Sequence, residues 1–284
     1  MLINEPYWYL ASYPKSGNTW CRAFITELLR LKNKKITNTL DLNNLNTGSI
    51  LSSSDWIDEQ IGIDINNLHY SEIDNYRSQL VLQEQIFKNS KRYFKVHDSF
   101  FIKETNKPIV PINNCKGALI IIRHPTDIVA SLSNFLNWDI PTTIKFLTNK
   151  EACLVGSEKG RHSQVRQYLG TWGSHVKGWL SQDLIPIILV KYEELIKYPF
   201  ENFLKISIFL ELTEDHNLIR KAIEGTKFSN LQKLEEINNI LEKPKNCSKF
   251  FFKGKSGEGK KILSRDQFEF INQKFSSILR ELNY

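Results

Sequence analysis

Tyr7-Trp8-Tyr9-Leu10-Ala11-Ser12-Tyr13-Pro14-Lys15-Ser16-Gly17-Asn18-Thr19-Trp20 is the stretch that decides the fold. Its first half is a run of aromatic and apolar residues that stops abruptly at Pro14, the pattern of a buried strand. A helix is predicted directly afterwards, because Trp20, Phe24, Leu28 and Leu31 recur at helical spacing while Arg22, Glu27 and Arg30 fall elsewhere. Strand, glycine turn and helix N-terminus in that order make a generic anion cradle: free backbone N–H groups and the positive helix end converge on one spot. Lys15, Ser16, Asn18 and Thr19 add donors. The competing reading is an ordinary turn with a surface lysine. The stretch is not a Walker A loop, since its lysine precedes the glycine, and a kinase or ATPase reading loses its main support.

Outward from this unit the alternation continues. Tyr93–Val96, Ala118–Ile122 and Ile185–Lys191 read as further strands, apolar apart from Lys95 and the closing Lys191. Helices are expected over 125–137, 164–180 and 199–210, and Ser264-Arg265-Asp266-Gln267 is a capping box that opens a last helix carrying Phe268, Ile271, Phe275 and Leu279 on one face. Residues 39–60 look irregular, and 139–160, with Pro141 and Gly156, reads as a mobile connection or lid. Alternating helices and largely apolar strands imply an α/β fold, a central parallel sheet flanked by helices. With no repeat and no linker-like break, one domain with insertions near 39–75 and 139–163 is expected. Ligands in such sheets bind beyond the carboxyl ends of the strands.

The chain has 284 residues, 41% of them hydrophobic and 12% aromatic, which is ample for a packed core and excludes wholesale disorder. Its longest apolar runs are too short to span a bilayer, and an N-terminus carrying Glu5 does not read as a secretory signal, so no membrane association and a cytoplasmic location are expected. Cys21, Cys115, Cys153 and Cys247 are scattered without the spacing of a disulfide framework or a zinc site, so reduced thiols and no metal are expected. The net charge is +7, and it is unevenly placed. Seven acids and no Lys or Arg lie within 41–75, whereas eight bases oppose only Glu258 within 243–265. A basic segment interleaved with Phe250, Phe251 and Phe252 fits a polyanion, either a nucleic acid or a phosphorylated nucleotide. The acidic stretch reads either as a solvated surface or as a lining for a cationic acceptor, with Asp55, Asp58 and Glu59 as its members.

Two more strand ends carry chemistry. Lys95 and His97 leave one strand on the same face, a proton acceptor with a cation to steady developing negative charge, although a lone histidine is more often structural. Arg123-His124-Pro125-Thr126-Asp127 with Ser131 sets a guanidinium fork and a hydroxyl at the next strand end, which suits a phosphate; an Arg/Asp pair fixing the turn is the plainer reading.

Taken in order, these motifs resemble a PAPS-dependent sulfotransferase of the cytosolic type. Residues 13–20 are similar to the family's 5′-phosphosulfate loop, and Arg123 to Asp127 with Ser131 to its 3′-phosphate motif. Leu169-Gly170-Thr171-Trp172-Gly173-Ser174-His175-Val176-Lys177-Gly178-Trp179 resembles the helix written Y-G-S-W…H-V-x-G-W. Lys253-Gly254 with Gly257 and Lys260 matches the C-terminal K-G-x-x-G-x-x-K segment. The resemblance implies PAPS (3′-phosphoadenosine-5′-phosphosulfate) as co-substrate, PAP as product, no metal, and a small-molecule acceptor rather than nucleic acid. It implies His97 as the general base, with Lys15 and Lys95 as catalytic cations. Lys15, Ser16, Gly17, Asn18, Thr19, Trp20, Arg123, Ser131, Tyr192, Thr226, Phe228, Lys253 and Gly254 would hold the nucleotide, Trp20 by stacking on the adenine. The chain also departs from the pattern. Phe252 replaces an arginine that contacts the 3′-phosphate, Lys227 stands where many relatives have serine, and Gly259 replaces an aromatic residue, implying a looser closing loop. The dimer signature K-x-x-x-T-V is not recognisable at 261–264, so the oligomeric state stays open. The alternatives are a kinase-like nucleotide transferase and a non-enzymatic polyanion binder.

Overall fold

The structure is a computed structural model and describes residues 6–34, 39–48, 50–80, 92–155 and 163–284. Glu5 and the 156–162 part of the second insertion lie outside the described residues.

The strands are β1 (Tyr7–Ser12), β2 (Tyr93–Val96), β3 (Cys115–Ile122), β4 (Cys153–Leu154), β5 (Gln167–Tyr168) and β6 (Ile187–Lys191). Four of them form the central sheet in the order β2-β1-β3-β6, while β4 and β5 pair separately as an antiparallel ribbon. β1 and β2 run parallel, with Leu10 opposite Lys95 and Ala11 opposite Val96. All six residues of β1 are buried, as a strand covered on both faces requires. The helices are α1 (Asn18–Lys32), α2 (Ser54–Ile61), α3 (Tyr70–Gln79), α4 (Pro125–Leu136), α5 (Ile140–Thr148), α6 (Trp172–Leu180), α7 (Tyr192–Lys197), α8 (Pro199–Phe209), α9 (His216–Gly225), α10 (Phe228–Ile237), α11 (Gly259–Ile262), α12 (Arg265–Lys274) and α13 (Ser276–Glu281). Among the described residues no helix is long and apolar enough to cross a membrane.

The chain divides into two compact units. The first comprises Met1–Tyr13, Thr47–Ile120 and Thr148–Ile187. Its core holds Tyr7, Tyr9, Phe94, Phe100 and Trp179, and the Tyr7 and Tyr9 hydroxyls both donate to the Pro111 carbonyl, so the buried phenols are satisfied. The second comprises Pro14–Asn46, Ile121–Leu147 and Ile188–Tyr284. There α1 buries Phe24 against Phe203, the rings stacked at 4.1 Å. A second cluster gathers Leu40, Leu42, Leu45, Leu231, Ile240, Phe250 and Phe251.

Four segments differ from the sequence reading, each for a local reason. The helix expected over 164–180 is confined to α6, because Gly170 turns with φ 64° and the Thr171 hydroxyl accepts the Ser174 N–H at 3.0 Å, capping a helix that can only begin there. The stretch 139–160 is not an irregular lid where it is described. Asp139 Oδ1 accepts the Thr142 N–H at 2.7 Å and Pro141 sits in the first turn, so polar residues that resemble loop composition start α5. Within 39–60, Ser53 caps α2 in the same way. The final helix breaks at Phe275 into α12 and α13, although the Ser264–Gln267 capping box forms as expected.

Candidate active site

In the second unit, the loop between β1 and α1 and the segment around 253–259 converge on Arg123. Gly17 precedes α1 with φ 105°, and no side chain caps the helix. A Cβ at Gly17 would lie 2.6 Å from the Tyr192 ring, so only glycine admits this close approach. Lys15 also takes a positive φ, 69°, which turns the chain into the helix. The hydroxyl of the fully buried Ser16, the Trp20 indole N–H and Arg123 Nε have no hydrogen-bond partner. Buried donors left unpaired in this way are costly and mark a place built for a ligand's acceptors.

Arg123 ties the elements together. Its Nη1 donates to the Lys15 carbonyl at 3.2 Å and its Nη2 to the Lys255 carbonyl at 2.9 Å, while its guanidinium lies 4.3 Å from the Tyr192 ring centre. The Arg123–Asp127 pair expected to fix the turn is only a distant one, at 3.9 Å. Asp127 is engaged elsewhere, its two carboxylate oxygens accepting the N–H groups of Gly257 and Gly259 at 2.8 and 2.7 Å. One buried carboxylate therefore pins the C-terminal loop to the first turn of α4.

Lys15 is the least expected feature. Its ammonium lies 4.1 Å from the Phe135 ring centre and 4.6 Å from that of Phe250, a cation–π sandwich. Burial lowers its pKa to about 8, with the Arg123 charge adding to the effect. Two of the three aromatic residues of the basic segment, Phe250 and Phe251, belong to the core. Three of its eight bases are paired. Lys243 meets Glu235 at 3.2 Å, Lys261 meets Glu258 at 2.8 Å, and Arg265 meets Glu269 at 2.7 Å.

The remaining residues of this group are placed as follows. Trp20 makes edge contacts with Tyr192 and Phe203. The Phe228 ring packs directly against Gly254. Thr226 is fully buried and its hydroxyl donates to the Ala222 carbonyl at 2.7 Å, a commitment to the end of α9. Asn18 is buried, Thr19 and Ser131 are half-buried, and Lys253 is exposed with its ammonium 5.2 Å from the Phe252 ring. Gly259, expected to loosen the loop, does the reverse. A Cβ there would lie 2.5 Å from both the carbonyl carbon and oxygen of Thr126, so the loop approaches α4 more closely than any larger residue permits.

The first unit holds a separate constellation at the end of β2. His97 Nδ1 lies 2.8 Å from the Ser12 carbonyl and 3.4 Å from the Ser12 hydroxyl. His175 Nε2 is 2.9 Å from the His97 carbonyl, and Trp179 Nε1 donates to the Asp98 carbonyl at 3.0 Å. Lys95 is half-buried on β2. Burial lowers the His175 pKa from 6.5 to about 4, so it stays neutral at neutral pH. Between those values the unfolded chain binds a proton that the folded chain refuses, and stability is lost as pH falls below about 6.5. The expected slope is about 1.4 kcal/mol per pH unit from this group. Urea unfolding of wild type and His175→Gln across that range checks it, the variant showing the shallower dependence.

The acids of 41–75 are largely structural. Asp41, Asp58 and Asp64 accept nearby backbone N–H groups, Glu72 completes a capping box with His69, and Asp74 pairs with Arg77.

Comparison with known proteins is consistent throughout. The family model of the sulfotransferase domain matches residues 6–283. Similar proteins include an amine sulfotransferase of Oryctolagus cuniculus, 22% identical over 96% of this chain and 80% of that protein. Sulfotransferase 1B1 of Canis lupus familiaris is 25% identical over 96% of this chain and 81% of its own. Among solved structures, mouse sulfotransferase SULT7A1 complexed with PAP superposes with a TM-score of 0.57 at 18% identity, covering 98% of this chain and 86% of that one. Retinol dehydratase in complex with androsterone and PAP gives a TM-score of 0.62 at 16% identity, covering 96% and 80%. A family model spanning nearly the whole chain, over the strand-end geometry described above, establishes that this chain belongs to the sulfotransferase family, as a PAPS-dependent enzyme of the cytosolic type.

Proposed function

We propose that this chain, acting as one sulfotransferase domain, transfers the sulfuryl group of PAPS to a hydroxyl or amine of a small acceptor, with His97 as the base. The observation that carries the nucleotide assignment is the set of unpartnered buried donors on Ser16, Trp20 and Arg123 around an uncapped helix N-terminus. They suit a ligand that brings two phosphates and an aromatic base. Lys15, Ser16, Gly17, Asn18 and Thr19 would hold the 5′ side, and Arg123, Ser131, Lys253 and Gly254 the 3′-phosphate. Trp20, Tyr192 and Phe228 would flank the adenine. PAPS supplies the activated sulfuryl group. Lys15 and Lys95 steady negative charge, and His97 removes the acceptor's proton; positioning and electrostatics then suffice. With its hydroxyl engaged by Ala222, Thr226 contributes shape rather than a hydrogen bond.

A thermal-shift comparison tests the nucleotide assignment. PAP is expected to raise the melting temperature and ATP to leave it nearly unchanged; the opposite ranking would favour a kinase-like transferase. A salt-sensitive response to oligonucleotides without any response to PAP would favour a polyanion binder. A PAPS-dependent transfer screen across phenols, alcohols, amines and cationic alkaloids then identifies the acceptor class.

The lowered Lys15 pKa makes a second expectation. An anion bound beside Lys15 raises that pKa again, so above about pH 8 binding must take up a proton. PAP affinity is therefore expected to be level below about pH 8 and to fall by up to about tenfold per unit above it. Calorimetric titration of wild type and Lys15→Met checks this, because the variant loses the alkaline slope.

A further inference from the structure

We propose that Arg77 and Asp98 are positioning residues for His97, fixing which of its ring nitrogens is basic. The proposal rests on the reading of His97 as the base. A backbone carbonyl only accepts, so the 2.8 Å contact from His97 Nδ1 to the Ser12 carbonyl requires a proton on Nδ1. In the neutral ring Nε2 then carries the lone pair. This tautomer is kept only while the main chain at 97–98 holds the ring at that distance, and the grip on that dipeptide comes from three elements of the first unit.

From α3, Arg77 is 2% exposed and every guanidinium nitrogen is engaged. Its Nη1 and Nη2 donate to the two carboxylate oxygens of Asp98 at 3.0 and 2.9 Å, Nη1 also reaches Asp74 at 3.3 Å, and Nε donates to the Leu51 carbonyl at 3.1 Å. From α6, His175 and Trp179 take the carbonyls of His97 and Asp98. From the end of β1, Ser12 receives the ring itself. Asp98 is also 2% exposed, so a bidentate buried pair is anchored one residue from the base. Such a pair adds little net stability compared with apolar packing, but it imposes one geometry. A lysine cannot reproduce a fork that meets Asp98, Asp74 and Leu51 at once.

The test compares wild type, Asp98→Asn and Arg77→Lys, using 15N spectra of the imidazoles assigned against His97→Ala, together with kcat and KM on the acceptor found by the screen. Wild-type His97 is expected as the Nδ1–H tautomer. In Asp98→Asn the two tautomers mix and kcat falls by about tenfold or more with KM for PAPS unchanged; Arg77→Lys lies between. An Nε2–H tautomer in the wild type, or Asp98→Asn with wild-type tautomer and kcat, would overturn the proposal. Should Asp98→Asn fail to fold, Arg77→Lys and the wild-type tautomer decide it. Turnover retained by His97→Ala defeats the base assignment itself. An inactive His97→Ala beside an unaffected Asp98→Asn defeats only the positioning role.

Discussion

His97→Ala is expected to reduce transfer from PAPS by about 10²- to 10⁴-fold, the range that a positioned general base contributes, while PAP binds as in the wild type. The two halves of this result have separate origins. His97 belongs to the first compact unit, where its ring rests on Ser12 and its carbonyl on His175. The groups assigned to the phosphates, Lys15 and Arg123 among them, belong to the second, where Arg123 holds the carbonyls of Lys15 and Lys255. Truncating the imidazole therefore removes proton acceptance without removing a phosphate donor. Single-turnover kinetics with saturating PAPS, paired with calorimetric titration of PAP, separates the two. Loss of PAP binding would transfer His97 from catalysis to the nucleotide site, and unimpaired transfer would sink the base assignment.

The second large effect concerns Gly259, where the resemblance drawn from the sequence implies an aromatic residue. Gly259→Trp is expected to weaken PAP binding by at least about tenfold, equivalent to about 1.4 kcal/mol. The obstacle is backbone: a Cβ would fall 2.5 Å from the Thr126 carbonyl, and no rotamer change on α4 relieves it. The loop must withdraw, and Asp127 then loses the Gly259 and Gly257 donors that satisfy its buried carboxylate. Lys255, whose carbonyl receives Arg123, lies in the same loop. Gly259→Ala places the same first atom and should show most of the loss. Calorimetry with PAP on both variants measures it, and wild-type affinity in Gly259→Trp would show that the loop has another way to close.

Much of the fold was legible because burial on both faces writes itself into local sequence. β1 and the 118–122 part of β3 were readable as apolar runs and β2 as one broken only by Lys95, and the turn at Pro14–Gly17 carried its own chemistry. Where polar residues serve as caps, local composition misled: Asp139 and Ser53 start helices in stretches that read as irregular, and Asp41, Asp58, Asp64 and Glu72 are spent on backbone N–H groups. The tertiary partnerships were not legible at all. Nothing in sequence connects Arg77 to Asp98, or Phe135 and Phe250 to Lys15, because those pairs are made by the packing of distant elements. Asp127 was visible as a candidate partner for Arg123, but its actual partners are two glycine amides 130 and 132 positions away.

On the proposed reading of the nucleotide site, the aromatic sandwich around Lys15 would also divide labour over time. An ammonium covered by two ring faces projects a muted field into solvent, whereas Lys253 and Lys255 on the same unit are exposed. Capture of a nucleotide from solution is then governed by the exposed pair and is sensitive to ionic strength. Residence, once the phosphates reach Lys15, is governed by a charge that salt screens poorly. Association and dissociation rates of the nucleotide are thus expected to answer to different lysines, Lys253 and Lys255 for the first and Lys15 for the second.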